Sequence, residues 1–163
     1  MENMSKIKTN KLSLSVQYAS KAKKLPTRSQ LRQWLKTAQL RDLKINLRLV
    51  DEPEGRELNK KFRGKDYATN VLTFVYDDLK TGVALTSEAK HTIYGDVVIC
   101  VPVVEHEAVI HQKELLAHYA HLSIHAALHL QGYDHEMESD AKEMETLETS
   151  LMLKLNFTDP YQS

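Results

Sequence analysis

Residues 113–135 read Lys113-Glu-Leu-Leu-Ala-His118-Tyr-Ala-His121-Leu-Ser-Ile-His125-Ala-Ala-Leu-His129-Leu-Gln-Gly132-Tyr-Asp-His135. Leu115, Leu116, Ala120, Leu122, Ile124, Leu128 and Leu130 fall on nearly every side of a helical wheel. A helix that is apolar nearly all round is a buried one. The spacing predicts a helix from about Lys113 to Gln131, and Gly132 supplies the left-handed residue on which such helices end. Other elements must therefore wrap around it. Leu12-Ser-Leu-Ser-Val16 alternates with period two, as a half-buried strand does, and Ile45–Val50, Val71–Val75 and Tyr94–Val101 read as three more strands. Pro26 and Thr27 open a helix, with Thr27 and Gln30 placed as a capping box and Leu31, Trp34, Leu35 and Ala38 as its apolar stripe. A short helix is expected around Glu54 to Phe62, a turn at Arg63-Gly-Lys-Asp66, and a further helix after Tyr94–Val101 with Pro102 in its first turn. A last helix is expected from Asp140, boxed by Glu143, burying Met144, Leu147, Leu151 and Leu155. These elements predict one α+β domain over residues 1–163, a small mixed β-sheet packed with helices around the buried helix. Residues 1–10 are expected to be a disordered tail, and 77–92, polar and poorly patterned, a surface loop.

The totals agree with a compact domain. Apolar residues make up 42% and charged residues 27% of 163, an ordinary globular balance that excludes wholesale disorder. No apolar run nears the roughly 20 residues of a membrane span, and the N-terminus has no apolar signal core. One cysteine, Cys100 in an apolar run, allows no internal disulfide and fits a reducing compartment. A cytoplasmic protein is expected. Net charge is zero, but unevenly distributed. Residues 1–48 carry 12 basic and 2 acidic side chains, a net of +10, and the rest carries −10. Such asymmetry points to a polyanionic partner. Arg28, Arg32 and Lys36 repeat every four residues and share one helix face, either a solvated surface or a row of phosphate contacts.

Histidines set the chemistry. His125 and His129 lie four residues apart on the buried helix, hence on one face and about 6 Å apart along its axis, which lets two imidazoles meet one metal ion. Gly132 lets the chain turn back, and His135 follows. The pattern H-x-x-x-H-x-x-G-x-x-H has the ligand spacing of the metzincin proteases. Where those enzymes carry a glutamate base after the first histidine, this chain has Ala126. The peptidase reading thus loses its base while the metal ligands survive. Three protein ligands leave a position open, the arrangement of a catalytic rather than structural zinc site. Zinc suits three imidazoles, and other first-row divalent ions also fit. His118 and His121 continue the stripe, as packing residues, supports of the ligands, or lining of the site. Asp134 either orients a ligand imidazole or caps the turn.

The run Ser123–His135 closely resembles the signature of the YbeY family of bacterial endoribonucleases. Phe62-Arg-Gly-Lys-Asp66, Thr69-Asn-Val-Leu-Thr-Phe74, Gly95-Asp-Val-Val-Ile99, Met144-Glu-Thr-Leu-Glu148 and Asp159-Pro-Tyr161 resemble its other segments. The resemblance implies a metal-dependent endoribonuclease of single-stranded RNA, acting in ribosomal RNA maturation, chiefly at the 3′ end of the small-subunit RNA, and in ribosome quality control. It implies His125, His129 and His135 as metal ligands, Arg63 as a functional arginine, and ribosomal RNA and the ribosome as partners. One departure is Ala126, where the family usually has glycine. The residues themselves support Arg63, which sits among Lys60, Lys61 and Lys65 in a basic cluster suited to phosphate, although a surface arginine in an ion pair would read alike. Two other classes fit the histidines: a zinc metallopeptidase-like hydrolase, and a non-catalytic ribosome-associated factor whose metal only holds the fold.

Overall fold

The computed structural model describes residues 9–76, 92–134 and 137–162. The expected tail over 1–10 falls mostly, and the loop over 77–92 almost wholly, outside them. The elements follow in the order β1 (Leu12–Tyr18), α1 (Arg28–Thr37), β2 (Leu43–Val50), α2 (Glu52–Arg63), β3 (Val71–Tyr76), β4 (Ile93–Cys100), α3 (Val101–Ile110), α4 (Leu115–Leu130) and α5 (Glu138–Lys154). The strands form one sheet in the order β1-β2-β4-β3, with β3 antiparallel to β4 and the other pairs parallel. This is the mixed-sheet α+β domain that the sequence predicts.

Alternation decides which sheet face is covered. Leu12, Val16, Leu43, Ile45, Leu47, Leu49, Val97 and Ile99 join Leu31, Trp34 and Leu35 of α1 and most of α4 in one core cluster. On the opposite face Val50, Leu72, Val98 and Cys100 make a smaller cluster with Leu58 of α2. Helix α4 therefore lies pressed between the sheet, α1 and α5, and its Tyr119, Ile124, Ala126, Ala127 and Leu128 have no exposed surface.

The ends of α4 are fixed by specific contacts. At its C-terminus the Gly132 amide donates to the His129 carbonyl at 3.1 Å and the Tyr133 amide to Leu128 at 3.1 Å, a Schellman motif that needs the φ of +104° at Gly132. The Gln131 amide group donates to the Ala38 and Ala127 carbonyls, both at 2.9 Å, and accepts the Leu40 amide at 2.7 Å, tying α4 to the turn after α1. Gly95 lets the helix approach the sheet. A Cβ there would lie 2.7 Å from Leu130 Cδ2 and 3.2 Å from the Phe74 carbonyl oxygen. Gly95→Ala is therefore expected to cost about 1–3 kcal/mol by overpacking. A urea melt checks this, and adding Leu130→Ala should give non-additive recovery. Additive losses would show that the close approach is relaxed elsewhere.

Three sequence expectations need correction. Helix α5 starts at Glu138 with Met137 as its N-cap, and no side chain caps it. The Ala141 amide already donates to the Met137 carbonyl at 2.8 Å, so Asp140 sits inside the first turn and the Asp140–Glu143 box does not form. The buried centre of that helix is Met144, Glu148 and Met152 rather than Met144, Leu147, Leu151 and Leu155. Leu147, Leu151 and Leu155 pack half-buried on its flank. Arg63 is the last residue of α2 rather than part of the turn, which begins with the left-handed Gly64 at φ +72°. By contrast, the Thr27–Gln30 capping box on α1 and Pro102 in the first turn of α3 stand as the sequence indicates.

Candidate metal and nucleic-acid site

His125 and His129 present parallel rings from one face of α4, with centroids 6.3 Å apart and planes 4° apart. Each ring is oriented through Nδ1. His129 Nδ1 lies 3.1 Å from the Tyr133 carbonyl oxygen. A carbonyl only accepts, so Nδ1 carries the proton and Nε2 the lone pair. His125 Nδ1 lies 2.6 Å from Glu148 Oε2, which imposes the same tautomer on the neutral ring. Histidines that ligate metals commonly donate their second nitrogen to a carboxylate or carbonyl in this way. The donor set therefore fits a first-row divalent ion on two Nε2 atoms. His135, the expected third ligand, lies outside the described residues, and Asp134 stands half-buried beside it in sequence.

Glu148 is the residue that sequence reading missed. Its side chain has no exposed surface and joins three partners. Besides His125, Oε1 accepts from His121 Nε2 at 2.8 Å and from the Tyr161 hydroxyl. Burial pushes its carboxyl up, but the bonds from His121, His125 and Tyr161 together outweigh burial and hold it at about 2. Burial, and then the bond to Glu148, push the Tyr161 hydroxyl up. His121 thereby shares Glu148 with His125. The signal was present in the sequence: Met144, Glu148 and Met152 fall at i, i+4 and i+8, which places a carboxylate on the apolar stripe of α5.

His118 belongs to a second, separate chain of bonds. Its Nε2 lies 2.9 Å from Glu107 Oε1, and Asn70 Nδ2 donates to the same oxygen at 3.1 Å. Burial lowers the His118 pKa, an effect that Glu107 partly offsets.

Arg63 is exposed at the C-terminus of α2, as are Lys61 and Lys65 nearby. The nearest carboxylate in sequence, Asp66, is taken by Arg56, with Nε–Oδ1 at 2.9 Å and Nη2–Oδ2 at 3.2 Å. No carboxylate pairs with Arg63 among the described residues. Arg28, Arg32 and Lys36 are exposed on one face of α1, and the Arg28 guanidinium stands 5.4 Å from the Tyr18 ring centroid. The apolar stripe of α1 faces α4, so this basic row lies on the outer side of α1, and no hydrogen bond or ion pair joins it to the histidines among the described residues.

Fold and site together define a class: an α+β protein that displays paired, Nδ1-anchored histidines from a helix buried against a mixed sheet. The profile of the family described as "Endoribonuclease YbeY" matches residues 6–156. The chain belongs to that family. A relative from Nitrosospira multiformis named "Endoribonuclease YbeY" is 52% identical over 158 residues, covering 94% of this chain and 84% of that protein. One of the same name from Paraburkholderia phytofirmans is 45% identical, covering 93% and 97%. A solution structure of a Thermotoga maritima protein is similar with a TM-score of 0.51 and 26% identity, covering 92% of this chain and 99% of that one.

Proposed function

We propose that this protein is a metal-dependent endoribonuclease that cuts single-stranded RNA in the cytoplasm, in ribosomal RNA maturation at the 3′ end of the small-subunit RNA and in ribosome quality control. The relatives' name supports the RNA chemistry. The observation that carries the metal dependence is the His125–His129 pair, both rings held by Nδ1 so that Nε2 is the ligating nitrogen. His125, His129 and His135 would hold the ion, zinc or another first-row divalent metal. When bound, such an ion supplies a Lewis acid at the scissile phosphate. Glu148 keeps the His125 ring in register, and Arg63 offers a bidentate donor for the charge that develops on the phosphoryl oxygens. Lys61 and Lys65 add positive charge beside it, and Arg28, Arg32 and Lys36 extend a basic surface for the strand. Binding that depends on such contacts weakens steeply with salt.

A peptidase would need a general base. Ala126, buried and apolar, occupies its place. Glu148, a carboxylate that reaches His125 among the described residues, is committed to three donors. The direct test is cleavage of an end-labelled single-stranded RNA and of the same sequence as a duplex, with and without chelator. The single strand should be cut, the duplex spared, and chelator should stop cleavage until zinc is restored. Undiminished cleavage after metal removal would reject the metal-dependent reading.

A further inference from the structure

Upstream of the ligands, α4 forms one wall of a cavity of about 430 Å³ lined by His111, Lys113, His118, His121, Pro160, Tyr161 and Gln162. Its size lies in the range of small-molecule sites. Three of the polar groups in its walls are already engaged. His118 Nε2 meets Glu107, His121 Nε2 meets Glu148, and the Lys113 ammonium donates to the Pro160 carbonyl. What the walls mostly offer an occupant is ring surface: the imidazoles of His118 and His121, and Tyr161, whose ring stands edge-on to His121 at 5.2 Å and 84°. Walls built mostly of rings hold a bare ion poorly. They suit a flat aromatic ligand that stacks on rings, as bases do in sites for single-stranded nucleic acid. Position narrows the choice further. His121 precedes His125 by one helical turn, about 6 Å along the axis, a step that a neighbouring nucleotide spans.

The geometry points to a nucleobase site: the cavity takes the base of a nucleotide adjoining the scissile phosphodiester, and so contributes to the preference for single strands. A paired base enters it only after unpairing and unstacking, which costs free energy that a single strand does not spend. This rests on the reading of the protein as an endoribonuclease. His118 and exposed His111 at the rim are its specific elements, since neither belongs to the metal-holding network.

The test pairs substrate and protein changes. Single-stranded RNAs carrying one abasic nucleotide on either side of the cleavage site are compared with the intact RNA. For wild type, kcat/KM should fall about ten-fold at one of the two positions, as expected from the loss of one base–ring stack. In His118→Ala the two substrates should be cut at nearly equal rates, and His111→Ala, which changes only an exposed residue, should shrink the ratio without affecting folding. A wild-type ratio near one at both positions overturns the proposal, as does an unchanged ratio in both variants. A second measurement needs no cleavage. Titration of wild type with uridine and adenosine 5′-monophosphates should shift the His118 and His121 ring signals in NMR spectra, and ribose 5-phosphate should not. Equal shifts with the sugar phosphate overturn the base site. Nucleotide-specific shifts in a protein that cuts no RNA would keep the base site and reject the endoribonuclease reading.

Discussion

His129→Ala is expected to lower the rate of single-stranded RNA cleavage at least about 10³-fold while leaving the protein folded. Three decades correspond to about 4 kcal/mol of transition-state stabilisation, a loss in keeping with removing a Lewis acid from the reacting centre. The fold should survive because α4 is held by contacts that the His129 side chain does not make: the core cluster it shares with the sheet and α1, the Gln131 bonds to Ala38 and Leu40, and the backbone bonds of the Gly132 turn. Among the contacts the substitution removes is the hydrogen bond from Nδ1 to the Tyr133 carbonyl, worth about 1 kcal/mol. Circular dichroism and a thermal melt on the same preparation check the fold. An unfolded variant would favour the ribosome-associated factor, whose metal only holds the structure. A folded variant that still cuts would move the chemistry away from these histidines.

How much of this was legible in the sequence differs from element to element. Helix α4 was readable because its information is local: apolar residues on nearly every side, histidines one turn apart, and a glycine where the chain needs a positive φ. The strands were readable from alternation, and α1 from a capping box that forms as written. What escaped depends on contacts distant in sequence. Glu148 meets His125 across 23 residues and His121 across 27, so although its period marks it as buried, nothing local says which rings it will meet. The start of α5 was misplaced because Asp140 and Glu143 have capping chemistry, yet the helix begins one turn earlier on Met137, where no side chain caps it. Arg63 was singled out in sequence, but its position at a helix end, with Asp66 claimed by Arg56, emerges only from the fold.

Glu148→Gln should weaken metal binding about 10–100-fold, the range found when carboxylates behind metal-ligating histidines are changed. The reason lies in proton bookkeeping. The carboxylate accepts from three donors and donates to none, which fixes His125 with its proton on Nδ1. A glutamine of the same shape offers an acceptor oxygen at one end and an NH₂ with two donor hydrogens at the other. With its amide nitrogen toward His125, that ring must place its own proton on Nε2, the nitrogen that should bind metal. With the amide turned over, the nitrogen instead faces His121 and Tyr161, which must both become acceptors. Either arrangement costs the site something, and the protein adopts the less costly one, so the effect is graded rather than absolute. Glu148→Ala removes the acceptor altogether and leaves two imidazoles and a hydroxyl without it, so it should weaken binding further and also destabilise the fold, by about 1–3 kcal/mol. Tyr161→Phe is the control. It deletes one donor from Oε1 but leaves the Oε2 bond to His125 intact, so zinc affinity should change less than about three-fold. Competition against a chromophoric chelator measures all three variants without any RNA. Wild-type affinity in Glu148→Gln would mean that Glu148 supports only the packing of α5 on α4, and that the His125 ring is oriented by another contact.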